Sequence, residues 1–200
     1  MTLTFTLIDT QPLLLDVSNT TLIVTPEQFA RLCIDNPDLR LELTQNRELI
    51  VMSPTGGESG RRNGNLFARV WNWNDQTKLG DVFDSSTGYD FTAIGGGKPS
   101  PDVSWIEKSR LDGIDIKGFI PLVPDFVIEL RSATDRLNDL QAKMSNYQRL
   151  GVRLGILVNP QDRTVEIYRP KQEPQVLDSP MSINCEDVMP GFILSMKEIW

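Results

Sequence analysis

The stretch DFVIELRS, residues 125–132, decides the reading of this chain. Phe126, Val127, Ile128 and Leu130 form a short apolar run of the kind carried by a strand buried on both faces. Glu129 and Arg131 close the run two residues apart, and side chains at i and i+2 leave a strand on the same face. A carboxylate and a cation at the end of a core strand admit two readings. One is an ion pair at the strand's exposed end. The other is half of a metal site.

Upstream, SPDVSWIE (100–107) reads as another strand, entered after Pro101, which cannot donate to a ladder. Asp102 shares a face with Ser104 on that strand, and Val103 and Trp105 take the other. Neighbouring strands lie about 4.8 Å apart. If these two strands pair in suitable register, Asp102 and Glu129 can bring their oxygens to one cation. The chain contains no histidine, which removes Ser-His-Asp and Cys-His catalysis and every His-containing metal site. A hard, oxygen-bound ion such as Mg²⁺ is then the metal to expect, since it is typically held by one or two carboxylates plus waters and phosphate.

The rest of the pattern alternates helices with strands. TPEQFARLCIDNP (25–37) starts with Thr25 as N-cap and Pro26 at the first helical position. LRLELTQNRELIVM (39–52) alternates Leu39, Leu41 and Leu43 with polar residues, and its QN suggests a hairpin with Glu42 on the solvated side. A helix is expected over about 63–78, with Trp71 and Trp73 assigned to the core. DVFDSSTGYDF (81–91) and SPDVSWIE read as strands joined by the turn IGGGKP (94–99), which lacks the context of a phosphate loop. A helix over about 135–150 ends at Gly151, a suitable C-cap. RLGILVNP (153–160) and TVEIYRP (164–170) supply two more strands. This order predicts an α+β, or mixed α/β, fold with helices covering a sheet.

The 200 residues, 40% hydrophobic and 24% charged, suit one globular domain with a sizeable core. The first residues lack a basic n-region and do not read as a signal peptide, and no apolar run is long enough to span a bilayer. Cys33 and Cys185 have neither zinc-like spacing nor a disulfide framework, so a reducing, cytoplasmic setting is expected. The net charge of −7 argues against a general nucleic-acid binder. Residues 131–171 run the other way, with eight Lys/Arg against four Asp/Glu.

An Asp after Pro on one strand, and a Glu two before a basic residue on the next, resembles the PD-(D/E)XK nuclease core. The wider text is similar to the Uma-type family of restriction-endonuclease-like proteins in that superfamily. It includes LELTQNRELIVMSP (41–54), FDSSTG (83–88), SPDVSWI, the whole of 124–170 and DVMPGFIL (187–194). The resemblance implies a central mixed sheet flanked by helices: an N-terminal extension with helix and hairpin over 1–58, a nuclease-like core over 59–170 and a C-terminal extension over 171–200. It implies a metal-dependent endonuclease acting on nucleic acid, DNA above all, with Mg²⁺ or Mn²⁺ held by Asp102 and Glu129.

The superfamily places Lys two after the Glu, where this chain has Arg131. Arginine stays protonated and can stabilise charge on phosphate but cannot act as a base. The family resemblance assigns the lysine to Lys143 on the next helix, to orient or help deprotonate water or to stabilise the phosphate oxygens. A surface pair with Asp139, one turn back, is the competing reading. Tyr147 shares that face and reads as packing. Glu58 stands where the superfamily often adds another metal-binding acid, although an acid favoured by the dipole at the helix N-terminus is the better-fitting reading. Glu42 matches a recurring acid of the family. Cutting both strands of a duplex calls for two sites, so a homodimer is expected. The alternatives are an inactive fold of this type that binds nucleic acid or protein, and a hydrolase of another phosphate ester.

Overall fold

The computed structural model describes residues 20–200. Helix α1 (Pro26–Asp35) opens with a reciprocal cap. The Thr25 hydroxyl accepts from the Gln28 N–H at 3.2 Å, and the Gln28 side chain accepts from the Thr25 N–H at 2.8 Å. The hairpin follows as β1 (Arg40–Leu43) and β2 (Leu49–Met52), in antiparallel register. Helix α2 (Gly57–Thr77) starts at Gly57 rather than near Asn63. The glycines at its start read as breakers, but Glu58 and Arg62 pair one turn apart at 2.9 Å and support the first turn.

Strand β3 (Gly80–Asp84) leads through a 3₁₀ turn at Thr92–Ile94 to β4 (Val103–Glu107) and the short helix α3 (Lys108–Leu111). Then come β5 (Phe126–Leu130), α4 (Leu137–Leu150), β6 (Leu154–Asn159), β7 (Thr164–Tyr168) and β8 (Gln175–Asp178). A small β-ribbon, β9 (Ser182–Asn184) and β10 (Ile193–Ser195), ends the chain. Strands β3 to β8 form one six-stranded mixed sheet in sequence order. Only β5 and β6 are parallel, and α4 is the crossover between them.

Strand β5 is buried along its whole length because both faces of the sheet are covered. Phe126, Ile128 and Leu130 join the core beneath α2 and the C-terminal ribbon. Val127 joins the core beneath α4, with Met144 and Tyr147. Each such large side chain contributes roughly 1.5–3 kcal/mol when fully buried. Helix α4 sits close to the sheet because Gly155 has no side chain: a Cβ there would stand 2.6 Å from the Met144 methyl. The αL conformation of Gly151 (φ 104°) ends α4 as expected.

Two expectations fail here. Trp73 is buried and stacks edge-on with Trp105, but Trp71 is about half exposed. Helical spacing put both near one face, yet Trp71 lies half in solvent, with Phe67 stacked on it. The glycine run is also more than a turn between two strands. β3 ends at Asp84, and 85–102 form a long connection in which Gly97 makes a docking contact with β1. Among the described residues no helix is long and apolar enough to cross a membrane.

Candidate active site

β4 and β5 pair antiparallel with Val103 opposite Ile128, and the same register one step further sets Asp102 opposite Glu129. Both carboxylates leave the sheet on the α4 side, as the alternation along each strand requires. Asp102 Oδ2 accepts from the Leu130 N–H at 2.8 Å, which fixes its carboxylate at the end of the strand pair. Beneath it, the Ser104 and Tyr89 hydroxyls share a buried hydrogen bond of 2.7 Å.

Glu129 is 3% exposed and is met from α4 by two donors four residues apart. Lys143 Nζ lies 2.9 Å from Glu129 Oε1, and the Tyr147 hydroxyl donates to the same oxygen at 3.0 Å. Lys143 also lies 3.1 Å from Glu42 Oε2 and donates to the Ser100 carbonyl at 3.2 Å. Asp102, Glu129, Glu42 and Lys143 therefore form one cluster at the mouth of the β4–β5 pair.

Its electrostatics follow from an excess of acid. Burial pushes the Glu129 carboxyl above the usual carboxylate range; Lys143 opposes the shift, and the charges of Asp102 and Glu42 add to it. Burial likewise raises Asp102, against the Leu130 N–H and the Lys143 charge. Burial alone would lower Lys143, but Glu129 and Glu42 more than offset it and hold the side chain as an ammonium. Burial also lifts the Tyr147 hydroxyl well above its ordinary range, so it stays a neutral donor.

The donor set fits a hard divalent ion. Among the described residues, Asp102 Oδ1 and Glu129 Oε2 accept no hydrogen bond, and neither is a sealed, orphaned atom. Each proton that leaves Asp102 or Glu129 adds negative charge beside a single ammonium, and a divalent cation balances that excess. No three His, Cys, Asp or Glu side chains among the described residues form a complete cage. Mg²⁺ does not need one, because it keeps several waters and takes one or two carboxylates.

The other candidates stand elsewhere. Arg131 does not meet Glu129: its guanidinium lies 3.3 Å from Asn159 Oδ1 and 3.4 Å from Asp162 Oδ2, and donates to the Asp135 carbonyl at 3.3 Å. The Glu129–Arg131 ion pair is therefore absent, and Arg131 pairs with Asp162 instead. Arg131 ties the β5–α4 connection to the end of β6. Glu58 is largely exposed on the first turn of α2 and pairs with Arg62. Lys143 forms no pair with Asp139 among the described contacts, because the same helix face turns it inward to Glu129.

Glu42 corrects the solvated reading of its position: it is 5% exposed. Alternation in β1 did place it opposite Leu41 and Leu43, which pack with Phe29 beneath α1. Glu42 itself is not open to water, however, because it lies against Lys143, while Ile50 and Met52 on the same face stay exposed. Tyr147 is packed as expected, and its hydroxyl also positions Glu129. The only signal for that second role was its four-residue spacing from Lys143.

The family described as "Uma2: Putative restriction endonuclease" matches residues 26–197. Curated proteins give no match. Among solved structures, the chain is similar to a protein from Anabaena variabilis described as "a putative nuclease belonging to DUF820". The TM-score is 0.73 at 22% sequence identity, over 88% of this chain and 97% of that one. That likeness reproduces the mixed sheet flanked by helices. With the family match spanning most of its length, from α1 to the end of the C-terminal ribbon, the chain belongs to the Uma2 family.

Proposed function

We propose that this protein is a divalent-metal-dependent nuclease that hydrolyses phosphodiester bonds of DNA. The observation that carries the reading is the convergence of Asp102 and Glu129, each with a free carboxylate oxygen, beside the Lys143 ammonium. The family description and the description of the Anabaena protein point to the same chemistry.

Asp102 and Glu129 would hold the ion. Mg²⁺ or Mn²⁺ supplies the positive charge that neutralises the scissile phosphate and makes water more acidic. Lys143, kept charged by its acidic neighbours, donates rather than accepts protons: it orients the attacking water or a phosphate oxygen. Glu42 holds the second side of that ammonium. Tyr147 and the Leu130 N–H fix the two carboxylates, so little reorganisation is needed when substrate arrives. Arg131 braces the β5–α4 connection beside the site.

The test is cleavage of supercoiled plasmid by the purified protein with Mg²⁺, with Mn²⁺ and with chelator, beside Asp102→Asn and Glu129→Gln. Metal-dependent nicking by the wild type alone supports the nuclease. Absence of cleavage on duplex, single strands and RNA under every metal would replace it with a binding module of the same fold.

A further inference from the structure

Glu42 reaches the site on a lobe that has a core of its own. α1, β1 and β2 close around Phe29, Leu41 and Leu43, apart from the two cores that flank the sheet. The segment that leaves the lobe, 53–56, is exposed. What places Glu42 is therefore the docking of the hairpin against the body.

That docking centres on Lys98. Leu43, the neighbour of Glu42, donates its N–H to the Lys98 carbonyl at 3.1 Å, and its carbonyl accepts from the Lys98 N–H at 2.7 Å. The approach is so close that a Cβ on Gly97 would stand 1.9 Å from the Leu43 carbonyl oxygen. The Lys98 side chain, only 11% exposed, sets Nζ 2.5 Å from Asp90 Oδ2. It also lies 5.2 Å from the centroid of the Phe119 ring, and Phe119 meets Phe29 of the lobe edge-on at 6.0 Å. Asp90 is held in turn by the Thr92 N–H and hydroxyl, at 3.0 and 2.6 Å.

The run from Gly97 to Asp102 then continues into the site. The Pro99 carbonyl accepts from the Tyr89 N–H at 2.9 Å, the Ser100 carbonyl accepts from Lys143, and Asp102 follows. Pro99 and Pro101 restrict the backbone between these points. One short, stiff segment thus carries the dock for the Glu42 strand, a carbonyl against Lys143 and a carboxylate of the cluster.

We propose that Lys98 is a positioning residue: its grip on Asp90 and Phe119 sets the Gly97–Asp102 segment, and through it the placement of Glu42 and Asp102 around Lys143. The catalytic consequence rests on the nuclease reading, whereas the docking itself does not.

The experiment compares full-length wild type, Lys98→Met, Lys98→Arg and Gly97→Ala. It reads amide hydrogen exchange, Mn²⁺ binding by calorimetry, and kcat and KM on plasmid. In Lys98→Met and Gly97→Ala, exchange at the Leu43 and Lys98 amides rises at least roughly tenfold while the β4–β6 amides keep their protection. Mn²⁺ affinity and kcat fall roughly ten- to hundredfold, the range for losing a group that orients a metal ligand, with KM little changed. Lys98→Arg keeps a cation over Phe119 and recovers most of both. Wild-type exchange at Leu43 in Lys98→Met would overturn the inference, as would faster exchange with unaltered Mn²⁺ affinity and kcat. If the wild type neither binds Mn²⁺ nor cleaves, the nuclease reading fails, and the exchange data alone decide whether Lys98 docks the lobe.

Discussion

Lys143 Nζ and Glu129 Oε1 stand 2.9 Å apart, across the gap between helix α4 and the central strand β5. The parallel β5–α4–β6 unit makes this contact, since the crossover lays α4 over the strand it has just left. Gly155 lets the helix settle close enough for the lysine to reach. Strand, helix and glycine together seat an ammonium among three carboxylates.

Lys143→Met removes the one cation from that cluster. Breaking a buried pair by deleting one partner leaves uncompensated charge and costs about 3–5 kcal/mol. The variant is expected to lose about that much stability in chelator, measured by urea unfolding above pH 8. Mg²⁺ should return part of it, because the ion replaces the missing charge. A loss below 1 kcal/mol would mean that water already screens these carboxylates.

The pH dependence of the metal-free protein should run opposite to ordinary acid denaturation over part of its range. Burial, with Asp102 and Glu42 nearby, pushes Glu129 up to about 8 from an ordinary 4.5. Its folded-state pKa thus lies above its unfolded value. The stability it contributes is present below the unfolded value and is lost as pH rises through about 8. Asp102, also raised, acts in the same direction. Lys143, raised from 10.5, does not titrate in this window. The melting temperature in chelator is expected to fall between pH 6 and pH 9, and Glu129→Gln should flatten that slope. An unaltered slope in Glu129→Gln would assign it to another group.

Tyr147→Phe deletes one of the two donors to Glu129 Oε1 and leaves the ring packing intact. The expected cost is about 1–2 kcal/mol, the penalty for a buried acceptor that loses a partner. Because the carboxylate also loses orientation, metal-dependent cleavage should fall roughly tenfold or more. Equal stability and equal rate in the variant would reduce Tyr147 to packing alone.

Arg131→Lys separates brace from catalyst. The fork that spans Asn159, Asp162 and the Asp135 carbonyl cannot be rebuilt by an ammonium. Stability is expected to drop by about 1 kcal/mol, with cleavage within roughly twofold of wild type at a temperature where both are folded. A large fall in kcat without destabilisation would instead put Arg131 on the phosphate.

The sequence by itself determined most of the helices and strands up to β7, and the strand faces of the first two acids, but not α3 or the strands after β7. Thr25 with Pro26, the QN hairpin and Gly151 marked their boundaries because caps and turns depend on local backbone chemistry. Asp102 and Glu129 were legible because strand alternation sets a side chain's face within a few residues, and the Pro before one and the apolar run before the other named the strands.

Only the tertiary structure decided how the remaining groups sort. Glu42 read as solvated on a hairpin strand, and Arg131 read as a charge beside Glu129 at the end of a core strand. One is buried against Lys143, and the other braces a loop. That difference comes from which distant segments pack against each face, and neither periodicity nor spacing carries it. Lys143 turned from Asp139 to Glu129 for the same reason: a buried carboxylate 14 residues upstream competes for its charge better than a solvated one a turn away. The glycine run 95–97 looked like a turn because its partner, the Leu43 carbonyl, lies more than fifty residues earlier in the chain. Local chemistry placed the strands and the two acids they carry; long-range packing assembled the cluster around them.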